Sequence, residues 1–213
     1  MKTDQLISSL VADAKPVSCR AMELRLAKGL VVGALITLAL VVSLLGIRPD
    51  IGTASRTAPF WIKIAYDGVY GAIGVMFLRQ LARPCTRVVK GTALLAVPTA
   101  LLALLVGNEL LAALRTGDMA PLAMGRNWSC TLLIVSLSIP LMAGIVWAFG
   151  EFAPSKLKAA GAAAGLTAGG LAAAIYSLYC IEASATFIWT RYSVALAATS
   201  VIGALAGPRL LRW

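Results

Sequence analysis

Apolar residues along this chain fall into six long runs separated by short polar segments. The runs are Leu30–Ile47, Phe60–Leu78, Gly91–Val106, Trp128–Phe149, Ala159–Tyr179 and Tyr192–Leu210. A helix needs roughly 20 mostly apolar residues to cross a hydrocarbon core, so each run can span a membrane, the third and sixth with the least margin. No run alternates polar with apolar residues, which argues against an outer-membrane barrel. The pattern predicts an all-α polytopic membrane protein, a bundle of six transmembrane helices.

Composition supports the membrane assignment and removes several kinds of chemistry. Of the 213 residues, 60% are apolar and only 13% are charged, about half the charged share of a soluble domain. These values argue strongly against a soluble enzyme. The chain contains no histidine, so histidine acid–base catalysis and histidine metal ligation are both excluded.

The net charge of +10 is interpreted as membrane-anchoring charge rather than as a nucleic-acid site. With a cytoplasmic N-terminus, thirteen of the 19 Lys and Arg residues lie on the cytoplasmic side and five on the other, Lys63 being inside a span. Cytoplasmic loops are enriched in Lys and Arg. We therefore expect both termini to be cytoplasmic (N-in/C-in) and no direct contact with nucleic acid.

The pattern divides the chain into a cytoplasmic segment, residues 1–29, and a membrane domain, residues 30–213. Apolar residues recur at helical spacing in the first segment. They are Leu6, Ile7, Leu10, Val11 and Ala14. One interpretation is that the stripe lies on the lipid surface or packs against the helix bundle. The other is that it docks in a groove of another protein.

Two of the four cysteines belong at the outer face. Cys130 begins the fourth span and Cys180 follows the fifth, at matching depth because both helices measure about 30 Å at 1.5 Å per residue. Either the two are unrelated small apolar residues, or they act together, forming a disulfide or binding a thiophilic metal with help from Glu182.

A stripe of small residues on the fifth span offers the close packing that such a pair requires. Gly161, Gly165 and Gly169 recur at four-residue spacing, which lets helix backbones approach. Cys180 lies close to the face of Gly169 at 3.6 residues per turn. We expect this stripe to bring the fifth span against the fourth, where Gly144 lies on the Cys130 face.

Lys63 and Asp67 are four residues apart in the second span. Ionisable residues within a membrane helix suggest a conduction or proton path. The alternative is a structural pair, because Lys63 lies near the outer edge, where its side chain can snorkel to the interface.

The whole chain, in order, resembles the NrsF-like family of bacterial inner-membrane anti-sigma factors. The resemblance depends on seven features, of which the Asn-Trp-x-Cys and Cys-x-Glu blocks are the most specific. They are Met1-Lys-Thr-Asp-Gln-Leu-Ile7, Arg126-Asn-Trp-Ser-Cys130, Leu137-Ser-Ile-Pro140, Ala153-Pro154, the glycine stripe, Cys180-Ile-Glu182 and Arg209-Leu-Leu-Arg-Trp213.

The resemblance implies a six-helix protein of the bacterial inner membrane that holds an extracytoplasmic-function sigma factor inactive. It implies that Cys130 and Cys180 respond to oxidant or heavy-metal stress, and that the N-terminal stripe, Leu6, Ile7, Leu10 and Val11, binds the sigma factor. The family often has histidine before the second cysteine, where this chain has Tyr179. This difference weakens histidine-assisted metal binding and leaves thiol chemistry untouched.

The leading hypothesis is therefore a transmembrane anti-sigma factor that is not an enzyme and has no cofactor beyond a transient heavy-metal ion. Its expected partners are a sigma factor and the lipid bilayer. A small transporter or channel, motivated by Lys63 and Asp67, is the first alternative. A membrane thiol–disulfide enzyme is the second, although the chain lacks a Cys-x-x-Cys motif.

Overall fold

The computed structural model describes residues 19–82, 93–117, 128–150, 156–182 and 184–210, and within these ranges every regular element is helical. The helices are α1 (Cys19–Leu40), α2 (Ile51–Ala54), α3 (Ala58–Leu81), α4 (Ala93–Thr116), α5 (Ser129–Phe149), α6 (Leu157–Tyr176), α7 (Ala185–Phe187) and α8 (Ser193–Leu210). A π-helical turn, Val41–Leu45, extends α1, and a second, Ile188–Tyr192, joins α7 to α8.

Six helices in the described ranges are long and apolar enough to cross a membrane, as the hydrophobic runs predicted. The second span exceeds its run by two or three residues at each end, and three others extend much further at one end. The first begins at Ala21, the third continues to Thr116, and the sixth begins at Ala185. Polar residues near these ends, such as Glu109 and Thr186, interrupt the apolar runs. The helices nevertheless continue because those side chains hydrogen-bond to each other inside the fold.

Helix α6 lies at the centre of the bundle. In its most apolar window, 67% of the residues are buried, against 11% for α4 at the periphery. One face of α6 packs against α8 and another against α3, while α5 contacts α6 and also α1. Its Ala- and Gly-rich sequence allows this central position, because small side chains let several helices approach one axis.

The glycine stripe of α6 faces α8 rather than α5, so the partner expected from the sequence is wrong. A side-chain carbon at Gly161 would lie 2.9 Å from the Cα of Gly207, and one at Gly165 would lie 2.9 Å from the Cα of Ser200. Gly144 of α5 instead lies against Gly29 of α1. The stripe by itself predicts that a helix packs closely against α6, but not which helix. Gly203 and Gly207 make α8 the helix whose surface complements it.

Candidate functional site

Cys130 and Cys180 lie together at one end of the bundle. Cys130 is the second residue of α5, and Cys180 follows a turn that closes α6, in which the Cys180 amide donates to the Tyr176 carbonyl at 3.1 Å. The two thiols are close enough to affect each other's ionisation, and both are free. The juxtaposition expected from matching helix depth is present even though the glycine stripe packs elsewhere.

The two thiols have different surroundings. Cys130 is partly exposed, whereas Cys180 is 6% exposed. Tyr176 and Tyr192 are buried beside the pair, with ring centroids 6.4 Å apart. The site is therefore a largely dry pocket in which one sulfur is more accessible than the other.

Lys63 is the cation of this pocket, and its side chain points into the bundle instead of snorkelling outward. It is 2% exposed. Its Nζ donates to the carbonyl oxygens of Cys180 at 3.3 Å and Glu182 at 3.0 Å, and lies 4.9 Å from the centroid of the Tyr192 ring. The lysine that suggested a conduction path is thus bound to the cysteine segment.

Asp67 lies one helical turn beyond Lys63 and is fully buried. Neither of its carboxylate oxygens has a hydrogen-bond partner among the described residues. Burying an unpaired carboxylate is costly, so the nearby charge of Lys63 matters for its stability. Asp67 and Lys63 together place two ionisable side chains inside the bundle, near Cys180.

The loop after α1 holds the cysteine segment by hydrogen bonds. The Arg48 amide donates to the Leu178 carbonyl at 3.2 Å, and the Arg48 guanidinium donates to the Cys180 carbonyl at 3.3 Å. The same guanidinium forms a salt bridge of 2.7 Å with Asp50. Arg48 therefore connects the loop between α1 and α2 to the backbone of Cys180.

These neighbours favour the thiolate of Cys180. The pKa of the Cys180 thiol is lowered to about 5, chiefly by its interaction with the Cys130 thiol and then by the positive charge of Lys63, against burial, which raises it. A thiolate is the nucleophilic form of cysteine. Cys180 is therefore ready to react with an electrophile at neutral pH.

The carboxylate of Glu182 does not join the cysteines. The Glu182 side chain is exposed, and the contact of this residue with the site is through its backbone carbonyl, which accepts from Lys63. Among the residues that the structure describes, no three His, Cys, Asp or Glu side chains form a group that could hold a metal ion. The geometry suits reaction between two thiols better than a preformed metal centre.

Glu109 of α4 is a site residue that the sequence reasoning missed. Its Oε1 accepts from the Ala185 amide at 2.7 Å, and its Oε2 accepts from the Thr186 amide and hydroxyl at 3.0 Å and the Ser184 hydroxyl at 3.1 Å. Glu109 thus joins the peripheral α4 to the segment after Cys180. A carboxylate in an apolar helix was the available signal, but the third run was expected to end at Val106.

The N-terminal stripe of Leu6, Ile7, Leu10 and Val11 lies outside the described residues. The boundary expected after residue 29 falls inside α1, which runs without interruption from Cys19 to Leu40.

Comparison with known proteins gives consistent matches. Residues 10–213 match the family model described as negative regulator of sigma F. Over its whole length the chain is 35% identical to the anti-sigma-F factor NrsF of Caulobacter vibrioides. It is 34% identical to the probable anti-sigma-F factor NrsF of Azospira oryzae, and both relatives are also covered completely. No solved structure matches the chain.

Proposed function

Because the chain belongs to the family of negative regulators of sigma F, we propose that this anti-sigma factor holds an extracytoplasmic-function sigma factor at the bacterial inner membrane and releases it when Cys130 and Cys180 are oxidised. The family role is regulatory rather than enzymatic, which sets the thiol–disulfide enzyme aside. The observation that carries the sensing proposal is the pair of free, neighbouring thiols at one end of the bundle.

Six apolar helices support insertion in a membrane. The excess of Lys and Arg on one side supports cytoplasmic termini and a periplasmic position for the thiol pair. Disulfides form and persist in the periplasm, whereas cytosolic thiols are kept reduced. A thiol pair at this face can therefore report an oxidant before it enters the cell.

The contacts of the cysteine segment support a route for the signal. Oxidation changes the Cys180 turn, which is bonded to Lys63 of α3 and to Arg48 of the loop after α1. Helix α1 leads to residues 1–18, where we assign sigma-factor binding to Leu6, Ile7, Leu10 and Val11. Moving a sigma factor from mostly bound to mostly free requires about 5 kcal/mol of differential free energy. A disulfide stabilises the conformation that it cross-links by about 2–4 kcal/mol, which is of the same order.

The transporter or channel alternative has less support. The polar contacts of Lys63 lie on the backbone of Cys180 and Glu182, which gives this lysine a role in holding the cysteine segment. Flux that depends on Asp67 would still favour the alternative.

The sensing proposal is tested by sigma-dependent transcription in cells treated with a hydroperoxide. Cys130→Ser and Cys180→Ser are each expected to keep repression and to abolish induction. Cys19→Ser and Cys85→Ser are matched controls, because these cysteines belong to the cytoplasmic side and their variants should respond normally. Normal induction in both single variants of the Cys130–Cys180 pair would contradict thiol sensing.

Capture of a sigma factor by the full chain, lost when Leu6 and Leu10 are changed to Asp, tests the assigned binding stripe.

A further inference from the structure

Lys63 lies between two groups that can carry negative charge, the Cys180 thiol and the Asp67 carboxyl. An ammonium that is 2% exposed needs an anion nearby, because an isolated charge is costly in a low-dielectric interior. The carbonyls of Cys180 and Glu182 hold Lys63 Nζ on the cysteine side. The carboxylate oxygens of Asp67, by contrast, accept no hydrogen bond within the described ranges.

We propose that Lys63 is the positioning residue that makes Cys180 the attacking thiol of the pair, with Cys130 as the resolving thiol and Asp67 as the anion that pairs with Lys63 after oxidation. The inference rests on the proposed function, because it assigns roles within the same thiol pair. It concerns the reactivity of the thiols, which can be measured in purified protein without the sigma factor.

The groups that surround the Cys180 sulfur support this assignment. The titratable and charged neighbours are Arg48, Lys63, Asp67, Cys130, Tyr176 and Tyr192. Two of them are cations, and the Arg48 guanidinium is already paired with Asp50 at 2.7 Å. Lys63 is therefore the cation most available to a thiolate at Cys180.

The interaction between the two thiols favours the thiolate on Cys180. The Cys130 thiol, and after it the Lys63 charge, lower the pKa of Cys180, and the thiolate is the nucleophilic form of cysteine. Cys130 is the more exposed thiol and is the neighbouring thiol that can attack Cys180 once that sulfur is oxidised.

A cavity of about 280 Å³ lies beside this centre. Its walls include Arg48, Asp50, Phe60, Lys63 and Glu182 but neither cysteine. Lys63 connects it to the cysteine segment, because its Nζ donates to the carbonyl oxygens of Cys180 and Glu182. We take a small hydroperoxide as the oxidant class.

The reaction then balances in two steps. The Cys180 thiolate attacks the distal oxygen of the hydroperoxide, so that an S–O bond forms, the O–O bond breaks, and the alkoxide leaves as an alcohol with one proton from solvent. The Cys130 sulfur next attacks the Cys180 sulfenic acid. The S–S bond forms, the S–O bond breaks, and hydroxide leaves as water with the Cys130 proton. Sulfur is oxidised and the peroxide is reduced, and Lys63 is left facing Asp67 alone.

Trapping the intermediate tests which thiol attacks. The full chain, purified in lipid nanodiscs, is treated with tert-butyl hydroperoxide and dimedone, and adducts are located by mass spectrometry. Cys130→Ser is expected to accumulate a dimedone adduct on Cys180, whereas Cys180→Ser should label Cys130 at least about tenfold more slowly. Equal labelling, or faster labelling of Cys130, would overturn the assignment. This test needs no change at Lys63, so it stands even where a lysine variant fails to fold.

Variants of Lys63 test the positioning role. Iodoacetamide alkylation of Cys180 is followed from pH 4 to pH 9, with the rate expected to fall only near pH 5, because the pKa of Cys180 is about 5. Lys63→Met should move this midpoint upward by about one unit or more, since a nearby opposite charge shifts a pKa by about 1–3 units. Lys63→Arg should restore it, because the charge returns.

Asp67→Asn tests the other member of the same buried pair. It should move the Cys180 midpoint lower, since it removes the anion that competes for Lys63. An unchanged profile in Lys63→Met, or an equally large upward shift in Asp67→Asn, would refute the role of the Lys63 charge. The proposed function fails by a different result: normal sigma release in cells that carry the Cys→Ser variants, whatever the order of attack in purified protein.

Discussion

Gly165→Ala probes the contact between α6 and α8, on which the central position of α6 depends. The added carbon would lie 2.7 Å from the carbonyl carbon of Thr199 and 2.9 Å from the Cα of Ser200. Both atoms belong to the backbone of α8 and cannot rotate away. The closest contact is an overlap with the Thr199 carbonyl oxygen, and ordinary carbon contacts begin near 3.5 Å, so α8 must move outward by about 1 Å or more.

The expected cost follows from two opposing effects. Overpacking a well-packed interface costs about 1–3 kcal/mol, while alanine in place of glycine within a helix contributes at most about 1 kcal/mol of stability. Gly165→Ala should therefore lower the free energy of unfolding by about 1–2 kcal/mol.

Gly68→Ala is the matched control. Gly68 is also inside a long helix, α3, and a side-chain carbon there would meet no atom within 4 Å. This variant should be neutral or more stable by up to about 1 kcal/mol, because only helix propensity changes. The two alanine variants are therefore expected to differ by about 1–3 kcal/mol.

Reversible unfolding in mixed detergent micelles, with SDS as the denaturant and far-ultraviolet circular dichroism as the signal, measures this difference. Each variant is compared with the unaltered chain at the same lipid-to-detergent ratio. Equal stability of Gly165→Ala and Gly68→Ala would refute the close approach of α6 and α8.

Three further predictions concern contacts between helices. Glu109→Gln should lower the free energy of unfolding by about 1–3 kcal/mol in the same assay, because two buried amides then compete for one acceptor oxygen. Thr37→Val should cost about 0.5–1.5 kcal/mol, since it removes the 3.1 Å hydrogen bond from α1 to the Leu137 carbonyl. Gly144→Leu should weaken sigma repression in cells, as it forces α5 away from Gly29 of α1; full repression by a normally expressed Gly144→Leu protein would contradict this.

Helix content and number could be predicted from the sequence because they depend on local properties. Continuous apolar runs require internally satisfied backbone hydrogen bonds in lipid, and helices satisfy this requirement one segment at a time. The position of Cys130 and Cys180 at one end of the bundle followed from counting helix crossings. The continuation of two helices through Glu109 and Thr186 could not be predicted in this way. These residues remain helical because their polar groups hydrogen-bond to each other.

The sequence by itself determined that this protein is a set of apolar helices with two thiols at a common end. Only the tertiary structure decided that the glycine stripe meets α8, that Gly144 meets α1, and that Lys63 turns inward to the Cys180 carbonyl. The physical reason is that hydrophobicity and helix length are sums over neighbouring residues. Helix pairing and the charge environment of a thiol depend on shape and distance between segments that are far apart in the chain.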